Sequence, residues 1–156
     1  MQNSIMMPAA ISLLLFLSGI LANENVEMKN TFNITSWDES PYLEFNDGAK
    51  FSRATVKKTY SGLLSGDGEL DYLMAYDNSG AAYFTGIEHF SGNVEGKVGT
   101  ISMTHQGTFS NGRVSSSFVI IDGSQTGELI GLSGKGSYES GHAMSVDFDL
   151  SIRFED

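Results

Sequence analysis

The stretch Met144-Ser145-Val146-Asp147-Phe148-Asp149-Leu150-Ser151-Ile152-Arg153-Phe154 alternates apolar and polar residues without a break. Successive side chains of an extended strand point to opposite faces, so a period of two describes a strand with one buried and one wet face. Met144, Val146, Phe148, Leu150, Ile152 and Phe154 share one face; the serines, aspartates and Arg153 share the other. Working back along the chain, the same period returns in Leu70, Tyr72, Met74 and Tyr76, in Ile101, Met103, His105 and Phe109, and in Val114, Ser116, Phe118 and Ile120. From Met28 to Phe154 no segment carries the 3.6-residue period of an amphipathic helix. The 18 glycines against 2 prolines suit a sheet protein with many tight turns.

Two kinds of turn separate the alternating runs. Asp77-Asn78-Ser79-Gly80, Ser110-Asn111-Gly112 and Glu139-Ser140-Gly141 have hairpin chemistry. A second kind reads Ser/Thr-Gly-x-Leu/Val-x-Gly and occurs at Ser61–Gly66, Ser91–Gly96 and Thr126–Gly131. The two kinds alternate, which predicts eight strands at about 28–36, 51–62, 67–76, 82–91, 97–109, 113–122, 132–139 and 144–154. In an up-and-down meander every second turn lies at the same end. The three glycine repeats then line one end, and the segment 38–50 with the Asn/Gly turns lines the other. The expected fold is all-β: an eight-stranded antiparallel up-and-down barrel, closed because closure removes both sheet edges. A two-sheet β-sandwich is the alternative.

The length of 156 residues fits one domain, here 28–156. Nine basic against nineteen acidic residues give a net charge of -10, which argues against phosphate-mediated binding of nucleic acid and against anionic membranes. The absence of cysteine excludes disulfides, thiolate metal sites and cysteine nucleophiles. Residues 1–22 include the apolar run Ile5–Ala22, followed at once by polar residues, with 23–27 as a linker. This segment reads as a signal peptide or as a misassigned start ahead of Met28. Pro8, Ser12 and the short apolar core make it a poor membrane span, so no stable span is expected in the mature protein. The protein is periplasmic or secreted if Met1 is the true start, and cytoplasmic if translation begins at Met28.

Aligning neighbouring strands by their turns puts the even positions of the second to fourth strands inside: Ala54, Val56, Tyr60, Leu70, Tyr72, Met74, Phe84 and Phe90. The same parity turns Lys58 and Glu88 inward and sets Tyr72 near Gly86, where a ring can cover a residue without a side chain. Lys58, Tyr72 and Glu88 then form a polar layer across three strands, with His105 on the apolar side of the fifth, beside Phe84 and Met103. A carboxylate against aromatics has a raised pKa, and a nearby lysine lowers it again. Such a pair can serve as general acid and base, or orient a ligand carbonyl or carboxylate. It can equally be a satisfied buried ion pair beside a core histidine. A one-residue bulge would turn Glu88 out and His89 in.

Other motifs carry less. Neither GxxxxGK[ST] nor a GxSxG elbow occurs, and no EF-hand spacing exists around Asp38, Glu39, Asp47 and His142 at the mouth. Asp147 and Asp149 read as a solvated stripe, and Asn33-Ile34-Thr35 as a chance sequon. No metal and no cofactor are called for.

Several stretches resemble a bacterial family of small uncharacterised domains placed with the allene-oxide-cyclase-like barrels. They are Ser36-Trp37-Asp38-Glu39 with Pro41-Tyr42, Arg53–Gly62, Tyr72–Tyr76, Gly86-Ile87-Glu88-His89-Phe90-Ser91-Gly92, His105-Gln106-Gly107-Thr108-Phe109 and Thr126–Gly136. The resemblance spans Met28 to about Leu150 and implies an eight-stranded antiparallel barrel, beginning near Lys29, and no established activity. The local motifs of the allene oxide cyclases themselves are not matched, so no catalytic residue is carried over from them. The function expected is a barrel that binds a small lipophilic or aromatic molecule inside, with Lys58, Tyr72, Glu88 and His105 as its candidate polar layer. A cofactor-free isomerase or cyclase, and a filled structural or interaction barrel, are the alternatives; related barrels often associate into homo-oligomers.

Overall fold

The computed structural model describes residues 28–141 and 143–155. The apolar run near the N-terminus and His142 lie outside the described residues. Among the described residues nine strands follow in chain order: β1 (Thr31–Glu44), β2 (Lys50–Ser61), β3 (Leu64–Tyr76), β4 (Ala82–Val94), β5 (Lys97–Ser110), β6 (Arg113–Ile120), β7 (Leu132–Ser140), β8 (Ser145–Asp147) and β9 (Asp149–Phe154). They form one antiparallel sheet in the order β8-β1-β2-β3-β4-β5-β6-β7-β9. Consecutive strands are neighbours up to β7, as a meander requires, and the single sheet replaces the two-sheet alternative.

The strand count is nine rather than eight because the C-terminal alternating stretch divides at Phe148. β8 pairs with β1 through Thr31↔Asp147, Phe32↔Val146 and Asn33↔Ser145. β9 pairs with β7 from Leu132↔Phe154 to Ser137↔Asp149. The Phe148 amide still donates to Asn30 O at 3.0 Å, so the chain leaves one neighbour and joins the other within a residue. Its two halves bridge the two edges of the sheet and bring it to a nearly closed barrel. The side-chain period survives the division: Val146 and Phe148 are buried, and Ser145, Asp147, Asp149, Ser151 and Arg153 are exposed.

β1 is longer than the alternation of hydrophobicity predicts. It continues to Glu44 across most of the segment read as a loop, paired with β2 as far as Glu44↔Lys50. Its far half is largely exposed, so alternation of hydrophobicity is lost although backbone pairing is not. Register shifts at Ile34/Ser36 and Pro41/Leu43 bend the strand, and the second lies at Pro41, which cannot donate to a ladder.

The three glycine repeats fall between β2 and β3, β4 and β5, and β6 and β7, at one end of the barrel. The third forms a short 3-10 turn at Gly127–Leu129, which drives Leu129 fully into the interior. The interior itself falls into two apolar clusters. The larger lies toward the glycine-repeat end and includes Tyr60, Leu64, Phe90, Val94, Ile101 and Leu129. The smaller consists of Ala54, Val56, Leu70, Tyr72, Met74 and Phe84.

Candidate functional site

A polar layer crosses the barrel between the two clusters. On β2, Lys58 follows Val56 and precedes Tyr60; on β4, Glu88 follows Phe84 and Gly86 and precedes Phe90; on β5, His105 follows Met103. All three side chains are at most 2% exposed. The Glu88 carboxylate is the centre. Its Oε1 accepts the Tyr60 hydroxyl proton at 2.6 Å. Its Oε2 lies 2.6 Å from His105 Nε2 and 3.5 Å from Lys58 Nζ. The histidine contact is short but poorly aligned for an N–H···O bond, and His105 Nδ1 has no hydrogen-bond partner among the described residues. The imidazole is instead fixed by rings: Phe118 lies 5.2 Å away and Tyr72 6.2 Å, centroid to centroid.

Glycine makes this meeting possible. Gly68 pairs with Lys58 on one side and with Phe90 on the other. A Cβ at Gly68 would strike Glu88 Oε1 and approach Tyr60 Cε2 to 3.0 Å. The tyrosine and the carboxylate therefore join over the bare backbone. Tyr72 pairs with Gly86 in the same way, and a Cβ there would lie 2.8 Å from the Tyr72 ring.

The electrostatics follow from burial and contact. Burial pushes Glu88 upward, but the Lys58 charge and the contacts from His105 and Tyr60 outweigh it and hold the carboxyl at about 2. Burial, partly offset by Glu88, lowers His105 below its ordinary value, so the ring is neutral. Burial and the Glu88 charge raise Tyr60 well above 10, which keeps it a donor. Burial and the neighbouring Tyr138 do the same for Tyr72.

Beyond the layer the barrel is hollow. A cavity of about 630 Å³ opens at the end opposite the glycine repeats. Phe32, Ile34, Met74, Phe84, Phe109 and Val114 supply much of its apolar wall, and Lys58, Tyr72 and Tyr138 its inner polar groups. Lys58 Nζ sits 4.4 Å from the Phe32 ring centroid. The Tyr72 and Tyr138 hydroxyls are 3.3 Å apart. At the rim, Glu39 accepts from Tyr76 Oη at 2.6 Å and from Trp37 Nε1 at 3.0 Å. Burial and this carboxylate push the Tyr76 hydroxyl well above its usual value.

The structure thus brings Lys58, Glu88 and His105 together and turns Glu88 in, His89 out. Tyr72 is inside as expected, yet its hydroxyl meets Tyr138 rather than Glu88. Tyr60 takes the place foreseen for Tyr72. Its signal was present in its parity, two residues from Lys58, and in Gly68 beside it. Asp38 and Asp47 are exposed, and among the described residues no three His, Asp or Glu side chains cluster as metal ligands. Asp147 is exposed and pairs with Lys29 at 2.7 Å.

Comparison with known proteins gives a family but no activity. Residues 28–151 match the family model described as protein of unknown function (DUF3224). The fold is similar to the crystal structure of a protein of unknown function from the same family, from Shewanella oneidensis MR-1. The TM-score is 0.66 at 24% identity, over 83% of this chain and 100% of that one. No curated protein matches the chain.

Proposed function

The chain belongs to the DUF3224 family of proteins of unknown function, and from that premise we propose that it holds a small lipophilic or aromatic molecule in the cavity at the open end of its barrel. One observation carries the reading: the cavity of about 630 Å³ is walled mainly by apolar and aromatic side chains, with a few convergent polar groups at its inner end. Such pockets for small molecules typically measure roughly 300–1,000 Å³. The likeness to allene-oxide-cyclase-like barrels enters the proposal at this level alone, as a barrel that takes an apolar molecule inside.

An isomerase or cyclase in the same cavity would draw on Lys58 and Tyr72, which line it. Glu88 is a poor general base there. It does not line the cavity, and both its oxygens are engaged by buried partners. Holding a molecule is therefore favoured over acid–base chemistry through Glu88.

Native mass spectrometry of protein purified gently from its source cells tests the proposal. A stoichiometric adduct, released by solvent extraction, is expected. A clean apo mass with nothing in the extract overturns it. The intact mass also gives the mature N-terminus, which separates export from a start at Met28.

A further inference from the structure

The inner end of the cavity offers donors and little free charge. Lys58 Nζ has three N–H groups, and its oxygen partner is Glu88 Oε2, at a long 3.5 Å. Another side of the ammonium faces the Phe32 ring, with the Tyr138 ring 6.0 Å away. Rings attract the charge but accept no strong hydrogen bond. Between the Tyr72 and Tyr138 hydroxyls, one proton makes their mutual contact and the other is left to donate.

The Lys58 charge is already balanced by Glu88, and the carboxylate in the wall, Glu39, is acidic. An anionic ligand would pass Glu39 and add a second buried negative charge beside Glu88, which the low-dielectric interior penalises. A neutral oxygen acceptor takes the spare donors without that cost. We infer that the ligand is a neutral, lipophilic carbonyl compound, its oxygen held by Lys58 Nζ and the Tyr72–Tyr138 pair and its hydrocarbon body along the apolar wall. This inference rests on the cavity reading above.

Trp37, the sole tryptophan, lines the cavity and reports occupancy by its fluorescence. The full chain is titrated at neutral pH with three probes of one shape: 2-acetylnaphthalene, 2-naphthoate and 2-ethylnaphthalene. The ketone is expected to bind about tenfold more tightly than either of the others, the ratio of one charge-assisted hydrogen bond. Lys58→Met removes that preference: on the variant the ketone binds no more tightly than 2-ethylnaphthalene titrated on the same variant. If this variant fails to fold because Glu88 is left unpaired, the double variant Lys58→Met/Glu88→Gln makes the same test. Equal affinities, or tighter binding of naphthoate, overturn the carbonyl assignment and leave the cavity reading standing. Binding of none of the three overturns both.

Discussion

At the glycine-repeat end of the barrel, Phe90, Val94, Ile101 and Leu129 are fully buried and packed on one another. At the opposite end, Trp37 is 44% exposed, and Met74, Tyr76 and Phe84 of the same strands line the cavity. Strands β2 to β5 run through both regions with an unbroken period of two, so secondary structure does not account for the difference. Content does. The filled end receives a plug, Leu129 from the 3-10 turn, which has no counterpart among the described residues at the hollow end. The hollow end receives an extension of β1 whose side chains stay largely outside. The buried polar layer divides the two, and its Lys58 and Glu88 charges balance each other, so a packed core can stop there without leaving an unpaired charge.

The strongest test of that division is its central carboxylate. Glu88→Gln keeps the shape and leaves Lys58 without a buried counter-charge; a loss of about 3–5 kcal/mol in denaturant unfolding is expected. The pH profile gives the same information in the native chain. Because the folded value of Glu88 is depressed to about 2 from 4.5, its contribution is present above 4.5 and lost as pH falls toward 2. His105, held neutral by burial, adds an earlier decline that begins below the unfolded value of 6.5. Between them the native chain should lose stability in two acid steps, of which Glu88→Gln removes the lower, worth about 3 kcal/mol. A flat profile from neutrality to pH ~3 would contradict the assigned ion pair.

One substitution made at both ends sharpens the contrast. Phe90→Ala opens a void in the filled cluster and should cost about 3–5 kcal/mol. Phe84→Ala enlarges a space that already exists and should cost at least about 1 kcal/mol less. Equal losses would mean that the open end is packed as tightly as the closed one. Gly68→Ala pushes a methyl into the carboxylate contact and should cost about 1–3 kcal/mol, with the Glu88 acid step shifted upward in pH. The smallest effect belongs to the rim: Trp37→Phe should change stability by no more than about 0.5 kcal/mol, because half of the ring is already in solvent.

The parity of the strands was legible in the residues themselves. Lys58, Glu88 and His105 could be placed inside because Val56, Phe90 and Met103 on the same strands have no other plausible side. The opposition of Tyr72 and Gly86 followed from turn-defined register. Three things were less accessible. The outer half of β1, rich in polar and exposed residues, has no hydrophobic period, so only backbone pairing reveals it as strand. The division at Phe148 leaves side-chain alternation untouched, since it changes the pairing partner and not the face. The hydroxyl bonded to Glu88 depends on how far two side chains lean across Gly68, a matter of ångströms that parity does not resolve.

The bridging C-terminal stretch has a consequence for how the molecule comes to be made. Each hairpin from β1 to β7 joins segments adjacent in the chain, whereas the Thr31–Asp147 contact joins residues 116 apart. Until β8 and β9 pair, β1 and β7 both present unpaired edges. Closure is therefore the pairing with the greatest sequence separation in the sheet, and such long-range pairings are expected to form after the local hairpins. A chain without the pairing of β8 and β9 would leave both edges open, ready to join those of a neighbour.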